Sequence, residues 1–291
     1  MPDSLDSILE SPNAELMTGG LRFTEGPVWH PDGYLYFTNH PEIWRLDPAT
    51  KQRTPVGHNS TGGNGMTLDL YGHLVVCEPW GRRVYRMGPD GATTPLAVTW
   101  RGLRLNKPND VIFRSDGTMY LTDMGYWPYT VGVANPEIKR NCIYGVTPGG
   151  EVFAAAPYEY PNGLALSADE RTLYVANTRH YKHIGSFDVE PDGTLTNHRV
   201  FAEFSELEKP GVPDGLMVVM AGNVFCTDPG GMWVFDPSGA RIGVIVLPEL
   251  PANMGWGDAD NRSLYVCART SVYRLRMKTP GTKMPSLPPL R

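Results

Sequence analysis

Residues 25–39 read Glu25-Gly26-Pro27-Val28-Trp29-His30-Pro31-Asp32-Gly33-Tyr34-Leu35-Tyr36-Phe37-Thr38-Asn39. The stretch is a polar residue and a glycine, an apolar run, an acidic-glycine turn, and an apolar strand ending on a polar residue. It returns as Asn64-Gly65 to Cys77-Glu78, Asn109-Asp110 to Thr122-Asp123, Asn162-Gly163 to Ala176-Asn177, Asp214-Gly215 to Thr227-Asp228, and Asn253-Met254 to Cys267-Ala268. Short strands repeating about every 40 to 50 residues mark a β-propeller, whose four-stranded blades surround a channel. Six copies predict an all-β, six-bladed β-propeller.

The repeat spreads evenly, which divides the 291 residues into an N-terminal extension (1–20), the propeller (21–278) and a Pro-rich C-terminal tail (279–291) expected to lie outside the fold. Ring closure needs a strand from the opposite terminus, and the segment from Glu15 to Phe23 is the candidate. The 32 Gly and 27 Pro supply turns, and no stretch sustains helical periodicity. A net charge of −5 with scattered basic residues lacks the footprint of a nucleic-acid binder. No apolar run reaches the roughly 18 residues of a membrane span, and the acidic stretch Met1 to Gly20 lacks the make-up of a secretory signal. Cys77, Cys226 and Cys267 fall inside the strand phrases and Cys142 follows the long third-blade loop, so all four read as buried core thiols. The expectation is a cytoplasmic protein, a monomer or small homo-oligomer, whose partner is a small molecule and neither nucleic acid nor membrane.

Equivalent positions in a radial repeat arrive at equivalent places around the axis. The opening residues Glu25, Asn64, Asn109, Asn162, Asp214 and Asn253 all carry side-chain oxygen, and an inner strand starting with each sends them to one end of the channel. Two carboxylates held together in a partly buried space repel each other unless a cation offsets them. An all-oxygen donor set favours Ca²⁺, with Mg²⁺ or Mn²⁺ also suited and Zn²⁺ less natural. For any single copy, Asn-Gly and Asp-Gly are equally ordinary turn residues.

The chain resembles the senescence marker protein, gluconolactonase and luciferin-regenerating-enzyme-like family, particularly its bacterial gluconolactonase branch. The resemblance rests on Glu25-Gly26-Pro27-Val28-Trp29, Leu105-Asn106-Lys107-Pro108-Asn109-Asp110-Val111, Pro161-Asn162-Gly163-Leu164-Ala165 and Val212-Pro213-Asp214-Gly215, supported by Pro229-Gly230-Gly231-Met232-Trp233-Val234-Phe235. It implies one divalent cation held by Glu25, Asn162 and Asp214, with Asn109 a further ligand or a substrate contact, and leaves Asn64 and Asn253 around that set. It also implies hydrolysis of a sugar lactone such as gluconolactone, with the metal polarising the carbonyl and Asp214 either taking a proton from the attacking water or acting only as ligand. Lys107 falls where animal members carry a substrate-binding Arg, although a solvated loop lysine fits the position as well.

Asp123 precedes the longest insertion, Met124 to Arg140, whose Tyr126 and Trp127 are expected with Asp123 to border the substrate. The rest of the strand-end column, Asn39, Glu78, Asn177 and Asp228, is expected to cap turns or bond between blades. The chain departs from the bacterial pattern at Cys77-Glu78-Pro79-Trp80, where relatives commonly read Cys-Glu-His, and at Asp123-Met124-Gly125-Tyr126-Trp127. Those departures bear on the substrate more than on the metal. His180 and His183 lack a third ligand nearby and read as a hydrogen-bonded loop, and Gly62-Gly63-Asn64-Gly65 lacks the Lys-Ser/Thr of a phosphate loop. The alternatives to a lactonase are phosphotriester or fluorophosphate hydrolysis on the same scaffold, a non-catalytic ligand-binding propeller, and metal-free condensation of the strictosidine-synthase type, against which the Glu25, Asn162 and Asp214 constellation argues.

Overall fold

The computed structural model describes residues 4–56, 62–126, 133–205 and 208–286. Six four-stranded antiparallel sheets follow one another along the chain. Their first strands are Thr24–His30, Met66–Leu68, Pro108–Phe113, Pro161–Leu166, Leu216–Val218 and Pro251–Gly257. These pack on one another in sequence, and the sixth returns to the first, so they form the inner wall of a six-bladed propeller. The only helix among the described residues is the four-residue Leu5–Ile8.

The last blade takes its outer strand from the N-terminus: Glu15–Thr18 pairs with Ser271–Arg276, as the closure requirement predicts. Core side chains fill the spaces between blades rather than one central core. Tyr120 and Ile143 of the third blade meet Leu164, Leu173 and Val175 of the fourth. Leu35 and Phe37 of the first meet Tyr265, Cys267 and Val272 of the sixth. Each such apolar side chain contributes about 1.5–3 kcal/mol by leaving water, and the ring closes because each blade needs its neighbours. All four cysteines are buried and free, as their strand positions predict.

Pairing registers correct the repeat at one point. Val111, Leu164, Leu216 and Met254 sit opposite Leu121, Val175, Cys226 and Val266. Counting back one residue aligns Asn253 with Asp110, Gly163 and Gly215, and counting back two aligns Ala252 with Asn109, Asn162 and Asp214. The sixth copy therefore contributes Ala252, and no side-chain oxygen, to the opening column.

The expectation that the tail lies outside the fold fails for its first part. The Met220 N–H donates to Pro280 O at 3.2 Å, Thr282 N–H donates to Val218 O at 3.2 Å, and Gly281 N–H donates to Asn261 O at 2.9 Å. Further on, Met284 Sδ lies 3.7 Å from Thr67 Oγ1. Val218 and Met220 end the inner wall of the fifth blade and Thr67 lies in that of the second, directly opposite. The segment thus crosses beneath the channel at the end remote from the opening column.

Candidate metal centre and active site

The inner strands approach so closely at the upper end that their backbones bond across blades: Gly65 N–H to Asn109 O at 2.9 Å, Gly163 N–H to Asp214 O at 3.0 Å, and Gly215 N–H to Ala252 O at 2.8 Å. A Cβ on Gly163 would overlap Asp214 O, which explains the glycine after Asn162. This approach gathers Glu25, Asn162 and Asp214.

Glu25 is 3 % exposed and Asn162 4 %. Burial raises the Glu25 carboxyl to about 7, with only hydrogen bonds from Asn253 and Gly26 working against it. Asp214 is driven well above the usual carboxylate range by burial, then by the charges of Glu25 and Asp110, against a hydrogen bond from Asn162. No lysine or arginine is among the groups that shift either one.

Asn162 is oriented by its surroundings. The Thr178 hydroxyl donates to Pro213 O at 2.5 Å and so receives the Asn162 Nδ2 donor at 2.8 Å. That leaves Asn162 Oδ1 buried without a hydrogen-bond partner, although buried polar atoms are normally satisfied. An orphaned carboxamide oxygen grouped with the buried Glu25 and half-buried Asp214 carboxylates, neither shifted by a basic partner, fits a hard divalent cation. Among the described residues no three His, Cys, Asp or Glu side chains make a ligand set by themselves, so the carboxamide is integral to this one.

Asp110 belongs to the same group and was missed by sequence reasoning. Burial and then the Glu25 charge raise it to about 7, and its Oδ1 accepts Val111 N–H at 2.9 Å. Its signal was a carboxylate in a column otherwise occupied mainly by glycine. Asn109, by contrast, is only partly buried, at the rim, and its carbonyl receives the Asn64 side chain at 3.3 Å.

Asp123 is fully buried, and its oxygens accept Asn106 N–H at 2.8 Å and Lys107 N–H at 2.5 Å. It thereby holds the backbone of the loop that carries Lys107 and Asn109. The Lys107 ammonium lies 3.8 Å from the centre of the exposed Trp80 ring, and burial lowers its pKa. Tyr126 lines a cavity of about 520 Å³ with Arg140, Asn141, Tyr158, Glu159 and Tyr160. Trp127 lies outside the described residues. His183 opens the strand His183–Val189 instead of lying in the loop, and is buried and hydrogen-bonded there, with Nδ1 2.8 Å from Tyr181 O and Nε2 3.2 Å from Tyr158 Oη.

Residues 23–270 match the SMP-30/gluconolactonase/LRE-like region. The chain belongs to that family. It is 30 % identical to the gluconolactonase of Zymomonas mobilis, over 95 % of this chain and 85 % of that one. It is 26 % identical to a pentonolactonase of Haloferax volcanii, over 84 % and 81 % of the two chains. Among solved structures, a gluconolactonase of Xanthomonas campestris superposes with a TM-score of 0.84 at 28 % identity, covering 94 % of this chain and 92 % of that one. Family membership accounts for the blade count, and no helix among the described residues is long and apolar enough to cross a membrane.

Proposed function

We propose that the chain is a lactonase that opens a small lactone, a sugar lactone such as gluconolactone, at the upper end of the axial channel with the help of one divalent cation, Ca²⁺ by donor chemistry. The observation that carries this reading is the orphaned, buried Asn162 Oδ1 next to Asp214, whose carboxyl also feels the charge of Glu25, in a chain whose relatives are named as lactonases.

Glu25, Asn162 and Asp214 would hold the ion, with Asn109 at the rim. When bound, a divalent ion supplies Lewis-acid polarisation of the lactone carbonyl and offsets the buried negative charge. Asp214 takes a proton from the water that attacks the carbonyl carbon. The ring C–O bond then breaks, and Asp214 returns the proton it took to the departing alkoxide, giving the hydroxy acid. Lys107 donates a hydrogen bond to the lactone oxygens, its backbone fixed by Asp123. The low dielectric that raises the carboxylates also strengthens each of these contacts.

Proton release from a lactone panel, with chelated enzyme and after restoring Ca²⁺, Mg²⁺, Mn²⁺ or Zn²⁺ singly, tests the reading. Hydrolysis that returns with one ion is expected. Tight cation binding without lactone turnover would move the assignment to phosphotriester or fluorophosphate hydrolysis or to a non-catalytic binding protein.

A further inference from the structure

Two side chains occupy the column that is otherwise glycine: Asp110 in the third blade and Asn253 in the sixth, which faces it across the axis. Each takes the space that a side chain on the preceding blade would need. A Cβ on Gly65 would overlap Asp110 Oδ1, and one on Gly215 would overlap Asn253 Oδ1. Their own backbones orient them in the same way, Val111 N–H to Asp110 Oδ1 at 2.9 Å and Met254 N–H to Asn253 Oδ1 at 2.8 Å.

The two then differ in what they give Glu25. Asp110 adds a charge that repels it. Asn253, with its oxygen committed to Met254, turns its amide nitrogen outward and donates to Glu25 Oε2 at 2.9 Å. Gly26 N–H donates to the same oxygen at 2.8 Å. Asn253 is 6 % exposed, so its amide is shielded from competing water. Both donors to Glu25 therefore converge on Oε2, and Oε1 is the oxygen left to bind.

We propose that Asn253 is a positioning residue, a clamp that fixes the Glu25 carboxylate so that Oε1 is presented to the divalent cation. The inference rests on the reading of Glu25 as a ligand. Hydrogen bonds that orient metal ligands typically change metal affinity about 10- to 100-fold when removed. Asparagine suits this position because it joins an acceptor for Met254 N–H to a donor for Glu25. Aspartate would offer a second acceptor and a like charge.

The test is calorimetric titration of Ca²⁺ into the chelated full-length protein and into Asn253→Ser, Asn253→Leu, Glu25→Gln and the double variant Glu25→Gln/Asn253→Ser, with melting temperature as a check on folding. Serine removes the amide donor while keeping an acceptor near Met254, and leucine keeps the volume. The expected result is a Kd raised about 10- to 100-fold in Asn253→Ser and Asn253→Leu, with little further loss when Asn253→Ser is added to Glu25→Gln. The proposal is overturned if Glu25→Gln weakens binding while folded Asn253→Ser and Asn253→Leu titrate like the wild type, or if the two losses simply add. If Glu25→Gln itself binds as tightly as the wild type, the ligand reading fails and the clamp with it.

Discussion

At the upper end of the axial channel Glu25 and Asp110 are buried, Asp214 lies half-buried within reach of their charges, and Asn162 Oδ1 has no partner. At the lower end Val218, Met220 and Asn261 bond to the crossing segment, and Trp256 Nε1 donates to Val218 O at 3.0 Å. Both ends are lined by the same six inner strands, yet one leaves polar groups in want of a ligand while the other satisfies them from within the chain. Unmet buried charge costs stability and is retained where chemistry uses it. Met backbone groups and packed indole rings contribute stability and nothing else. Substitutions at the two ends should therefore move activity and stability in opposite ways.

The largest expected effect is at the upper end. Glu25→Ala and Asp214→Ala should each lower lactone turnover by at least about 100-fold, while the melting temperature of the chelated protein stays level or rises. Full activity in either variant after chelation would break the contrast. At the lower end, removing residues 279–291 should lower the melting temperature by several degrees and leave kcat/KM of the folded enzyme within about twofold, since the change lies away from the oxygen ring. Thermal melting and steady-state proton release on the same preparation decide this.

A third test uses pH. Glu25 and Asp110, raised to about 7 by burial, hold protons in the folded state that the unfolded chain has already lost. Stability of the chelated protein is thus fully present below the ordinary carboxylate pKa of about 4 and is lost as pH rises through about 7. Melting temperature should fall between pH 5 and pH 8, saturating Ca²⁺ should flatten the slope, and Asp110→Asn should remove part of it. A pH-independent melting curve in chelator would show that the upper end carries no such charge. The smallest effect is expected at the rim, where Lys107→Met should raise KM a few-fold with kcat little changed. An equal fall in kcat would place Lys107 at the reacting atoms instead.

The blades, the closing strand and the buried thiols were legible because they follow from apolar alternation and from the need to close a ring. The sixth ring position was not. The inner strands shift register between Pro108 and Val111, Pro161 and Leu164, and Pro251 and Asn253. An extra residue in the ladder makes the opening of each phrase ambiguous by one, which let Asn253 stand in the opening column in place of Ala252 and hid Asp110 behind Asn109. The docking of residues 280–284 depends on carbonyls at the ends of distant strands and on the Trp256 ring, and such contacts leave no periodic trace. Asp123 stands out in the sequence because a long loop follows it. Its oxygens are committed to the backbone of a different loop, a pairing that only the fold creates. Its counterpart Asp228 is also buried, but with both oxygens unmet, so one repeat position serves two ends according to the loop that precedes it.

The segment crossing beneath the second and fifth blades is a strap: it joins two facing blades that share no strand pairing, so the C-terminal side of the chain holds the ring across its diameter while the N-terminal strand holds it around its edge.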